Sequence, residues 1–83
     1  MDEDSAISNL YSEEIRNAES AQFFLEWLLD PNSYESTSGD SYFLEKKEDK
    51  ILIGNLFEEN FEETLVSKQI LISYLQKIIS LKR

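Results

Sequence analysis

The sequence predicts a single α+β domain over residues 1–83. It has two N-terminal helices, a small antiparallel sheet of about three strands near 42–46, 50–54 and 63–66, and a C-terminal helix over 68–82. Three observations predict it. The last seventeen residues carry one sustained helical periodicity. The β-favouring runs are grouped between 42 and 66 rather than interleaved with helices. Pro31 closes the second helical pattern before those runs begin. The alternative is a mostly helical domain with one hairpin.

The C-terminal segment from Ser67 to Arg83 is the element on which the others are expected to pack. Ser67 is an N-cap candidate, because its hydroxyl can accept from a first-turn backbone N–H. Leu71, Tyr74, Leu75 and Ile78 recur at helical spacing with Ile70 and Leu81 beside them, and Ile72 and Ile79 widen the stripe. That width fits a helix covered on both flanks, or one that keeps an Ile72/Ile79 edge exposed for a partner. Lys82 and Arg83 stand where cations favour the negative end of a helix dipole.

In chain order, residues 1–4 are charged and expected to fray. Ile7, Leu10, Tyr11 and Ile15 share a helical face ending near Asn17, and both Ser5 and Ser12 are possible caps. Asn17 or Ser20 caps the second helix, which runs to Leu29 with Ala21, Phe24, Leu25 and Leu28 inward and Phe23 and Trp27 on an adjacent face. From Pro31 to Ser41 the composition is that of a loop. Residues 42–45 and 51–53, joined by a charged link, read as a hairpin. Thr64 to Val66 supplies a third strand directly before the Ser67 cap.

Composition limits the chemistry. With neither His nor Cys, the chain lacks the commonest general base, a thiol nucleophile and the usual zinc ligands. Glu13/Glu14, Glu58/Glu59 and Glu62/Glu63 stand in polar contexts that read as solvated, whereas an acid catalyst needs a desolvated pocket. Asp30, Asn32, Tyr34 and Ser41 match part of a calcium-loop spacing, but Glu35 stands where Gly is required and Ser41 where a bidentate Glu is. The two glycines, Gly39 and Gly54, form no phosphate loop. The reading is of a protein that is not an enzyme and takes no cofactor or metal. No run reaches the ~18 apolar residues of a membrane span, and MDEDSAIS lacks the basic and apolar regions of a signal peptide, so a cytoplasmic setting is expected.

The net charge of −9 is unevenly placed. Residues 1–45 hold eleven acids and one base, Arg16, and residues 46–83 hold six acids and seven bases. An acidic surface of this kind argues against direct nucleic-acid contact and for steering toward a basic protein. Solubility alone is the competing explanation.

The run from Lys50 to Gln76, an aliphatic strand ending in Gly54, an acidic loop, a short strand, a polar helix start and an amphipathic helix, resembles the C-terminal half of small acidic bacterial immunity proteins of polymorphic and contact-dependent toxin systems. The resemblance implies an immunity or antitoxin-type inhibitor that occludes a basic toxin or nuclease. On the residues themselves, the candidate contacts are Glu19, Glu26, Asp30, Tyr34, Glu35 and Asp40, with Trp27 as the aromatic anchor. The other readings are a phage-type DNA mimic or anti-defence inhibitor, and a small structural or regulatory subunit docking through its last helix.

Overall fold

A computed structural model describes residues 2–58 and 60–82. It has α1 (Glu3–Glu13), α2 (Ala18–Leu29), β1 (Ser36–Ser38), β2 (Tyr42–Lys47), β3 (Lys50–Asn55), β4 (Thr64–Ser67) and α3 (Lys68–Lys82). The fold is α+β as expected, with four strands rather than three, all antiparallel in the order β1-β2-β3-β4. The added strand, Ser-Thr-Ser, lies within the stretch read as loop. It has no apolar alternation to announce it, and pairing with β2 makes it extended.

Alternation in the strands separates two faces. Tyr42 and Leu44 of β2, Ile51 and Ile53 of β3, and Thr64 and Val66 of β4 are buried under the helices. They join Ala6, Ile7, Leu10 and Ile15, the inward stripe of α2, and Leu71, Ile72, Leu75, Ile78 and Ile79 of α3 in one core. The opposite face carries Phe43, Glu45, Leu52 and Leu65, and the Phe43 ring lies over Gly54, its cross-strand partner, where a Cβ would collide with it. The β2–β3 turn has only Glu48 and Asp49, and Glu48 takes φ 59°.

The acidic start of the chain is structural rather than frayed, which corrects the reading of residues 2–4. Asp2, not Ser5 or Ser12, caps α1, its Oδ1 accepting from the Ser5 N–H at 2.7 Å. The backbone and then the side chain of Ser5 hold the Asp2 carboxyl below its ordinary pKa. Glu3 reaches the far end of the chain, where its carboxylate accepts from the Ser67 N–H at 2.8 Å. α1 is one helix. It stops at Glu13 rather than near Asn17, and the N–H groups of Glu14 and Ile15 both reach back to Leu10 O.

Asn17 caps α2 by accepting from Ser20 N at 2.8 Å, and Ser67 caps α3 by accepting from Ile70 N at 3.4 Å. α3 packs along α2, and α1 lies against β4. Burial of Ile72 and Ile79 at 8% exposure each corrects the reading in which that edge stays free. The apolar residues of α3 left outside are Ile70 and Leu81. The placement of Arg83 and of the Lys82 side chain at the helix end lies outside the described residues.

Candidate partner-binding face

The outer side of α2 is a ridge set by helical spacing. Glu19, Phe23, Glu26 and Asp30 follow at intervals of four, three and four, so they stack on one face while Ala21, Phe24, Leu25 and Leu28 face the core. Phe23 is 53% exposed and rests edge-on against buried Phe24, with centroids 5.2 Å apart. Two hollows meet at Phe23. One is lined by Glu14, Asn17, Glu19 and Asp40 among others, and the second by Gln22, Glu19 and Glu26. Among the described residues, no lysine or arginine lines either of them. Gln22 donates to Glu26 at 3.3 Å and props that carboxylate along the ridge.

Asp40 reaches the ridge because of a buried carboxylate. Glu14, the first residue past α1, accepts backbone N–H bonds from Asp40 at 3.1 Å and from Ser41 and Tyr42 at 2.8 Å each. It is 9% exposed, which corrects the reading of Glu13/Glu14 as a solvated pair. Gly39 completes the arrangement, since a Cβ there would sit 2.5 Å from the Glu14 carboxyl carbon. Its neighbour Glu13 accepts from the Tyr42 hydroxyl.

Burial, and after it the bond to Glu13, push the Tyr42 phenol up to about 12. In the unfolded chain it ionises near 10. The stabilisation is therefore complete below pH ~10 and is lost as pH rises through ~12. Tyr42→Phe is expected to flatten this alkaline limb in thermal melts between pH 9 and 12, scanned as approximate bounds of that window. A limb unchanged in the variant would assign it to other groups.

The remaining predicted residues gather at the other end of α2. Trp27 is 7% exposed, and its Nε1 donates to Tyr34 O at 2.8 Å. Lys46 Nζ lies 5.0 Å from the Trp27 ring centroid and donates to Asp30 O at 3.0 Å and to Ser33 Oγ. Trp27 is thus a brace for the following segment and not an open anchor, because the core takes its ring and the chain its N–H. Asp30 is exposed at the helix end, and its Oδ1 accepts from Asn32 N at 2.9 Å in a local turn. Tyr34 projects outward at 86% exposure, and Glu35 is exposed beside β1.

The structure therefore brings Glu19, Glu26 and Asp40 together around Phe23, and sets Asp30, Tyr34 and Glu35 at the far end. Phe23 is the residue that the anchor assignment passed over, although its position between Glu19 and Glu26 on the helix was already legible. Among the described residues no group of acids is arranged to hold a metal ion, and no helix is long and apolar enough to cross a membrane. No protein-family model matches the chain, and no curated protein or solved structure is significantly similar to it.

Proposed function

We propose that this chain is a protein-binding inhibitor of the immunity or antitoxin type, which occludes a basic toxin or nuclease. The observation that carries the reading is Phe23, a half-exposed aromatic at the meeting point of two hollows lined by Glu19, Glu26 and Asp40 and, among the described residues, by no base. Carboxylates around a central aromatic divide the work of binding. The charges speed encounter with a cationic surface, and the ring supplies affinity once water leaves. Inhibition follows from occlusion: lysines and arginines that a nuclease uses for phosphate are occupied by carboxylates instead. The resemblance of residues 50–76 to immunity proteins points the same way.

The test starts with the tagged chain in lysate of the source cell. A stoichiometric basic protein should be recovered, and its activity should fall as the chain is added. Charge reversal at Glu19, Glu26 and Asp40 together is expected to slow association about tenfold at low salt, with the difference shrinking as salt rises. Phe23→Ala should instead raise the dissociation rate about tenfold, a cost of about 1.4 kcal/mol. A captured protein that stays fully active in the complex would end the inhibitor reading. Displacement of that protein by DNA would favour mimicry.

A further inference from the structure

The two edges of the sheet are treated differently. On the β4 side α1 lies against the strand, and Glu3 accepts from the outward N–H of Ser67. Among the described residues, the β1 side has no such cover. Lys46 N donates to Glu35 O and Gly39 N donates to Tyr42 O, so the backbone groups of 35, 37 and 39 face β2. Those of Ser36 and Ser38 must then face away, and both residues are exposed. β1 has no lysine, proline or bulge in its three residues, so its shortness is what limits it as an edge. Exposed Glu35 precedes it and exposed Asp40 follows it within two residues.

From this edge and its flanking charges we infer that β1 is a docking strand, which takes an extended segment of a basic protein partner as a fifth strand of the sheet. Main-chain bonds to Ser36 and Ser38 hold the segment, and lysines or arginines at its two ends meet Glu35 and Asp40. The charges also choose between occupants. A second copy pairing antiparallel about Thr37 would place Glu35 of each chain opposite Gly39 of the other, with Asp40 adjacent, so that acid meets acid at both ends. The inference rests on the proposed binding of a basic protein and names how Glu35 and Asp40, the two acids that flank β1, engage it.

The probe is a seven-residue peptide of three valines with two lysines at each end, added to the isotope-labelled full chain. Amide exchange at Ser36 and Ser38 is expected to slow at least tenfold at saturation. A peptide ended in glutamates, and the lysine peptide N-methylated on its valines, should protect neither amide. Ser38→Pro removes an outward N–H while keeping every β1–β2 bond, and should weaken the lysine peptide about tenfold. Glu35→Lys with Asp40→Lys should transfer the preference to the glutamate-ended peptide. Absence of protection with up to about 5 mM lysine peptide overturns the inference. So does protection that rises with chain concentration and no peptide, which would indicate self-pairing. If the peptide instead perturbs only residues around Phe23, the edge role fails while the acidic face remains a binding site.

Discussion

Glu14→Ala is expected to lower stability by about 3 kcal/mol, a fall in Tm of roughly 15–20 °C for a domain of this size. The carboxylate holds three backbone N–H groups of a turn more than twenty residues away, and Tyr42 N, the most buried of them, has no water to replace it. Asp40 and Ser41 lie nearer solvent, so their N–H groups recover part of the loss, which is why the cost stays near that of one stranded charge-assisted set. Glu14→Gln should cost about half as much, because it keeps one acceptor but turns an amide toward donors. Gly39→Ala should cost about 2 kcal/mol in the native sequence, since the Glu14 carboxylate in its way is fixed by those bonds. In the Glu14→Ala background the same change should cost under about 0.5 kcal/mol, a coupling that urea denaturation of the double-mutant cycle reads directly. Near-zero loss in the Glu14→Ala chain would mean that other contacts hold the turn, and with it Asp40, in place.

Trp27→Ala carries the next largest effect, about 3–4 kcal/mol, and Trp27→Phe about 1–2 kcal/mol. The first removes a buried ring, its N–H bond to Tyr34 O and the face over which Lys46 lies, while the second keeps most of the volume but loses the N–H donor. The loosening should be local at first. Lys46 N donates to Glu35 O at the start of β1, so amide exchange at Lys46 should speed up in Trp27→Phe before the core amides change. Partner affinity provides the contrast. Trp27→Phe should change it less than about threefold, against the tenfold expected of Phe23→Ala. A folded Trp27→Phe chain that no longer binds would return Trp27 to the contact surface. As the sole tryptophan of the chain it also supplies a fluorescence reporter of unfolding in the native sequence.

Both variants mark where local pattern stops being informative. The stripes of α2 and α3 and the hairpin of β2 and β3 were legible because their periodicities, 3.6 and 2, are written in neighbouring residues. Asn17 and Ser67 were legible as caps for the same reason, their acceptors lying three residues from the N–H they receive. Of the candidate face, Glu19 and Glu26 were readable as outward positions of a helix, and the acidity of the first half was a matter of counting.

The rest depended on contacts between residues distant in sequence. Ser36–Ser38 is a strand because β2 offers it hydrogen bonds, and its own residues carry no alternation. Glu14 reads like any other acid beside Glu13, yet it is buried because the 39–42 turn presents three N–H groups to it. Glu3 reads as part of a charged tail until its carboxylate accepts from the Ser67 N–H at the end of β4. α2 has no cation in its own last turn, and Lys46 supplies one from the sheet at Asp30 O. Trp27 and Phe23 flank the same stripe, and packing chose which aromatic was covered. The sequence by itself thus determined the α+β class, the helical and strand stripes and the sign of the surface, since propensity, periodicity and charge act over a few residues. Tertiary structure alone decided which acids serve the fold, which aromatic stays open and which sheet edge is left unpaired, because those choices depend on hydrogen bonds and burial between segments that meet only once the chain has closed.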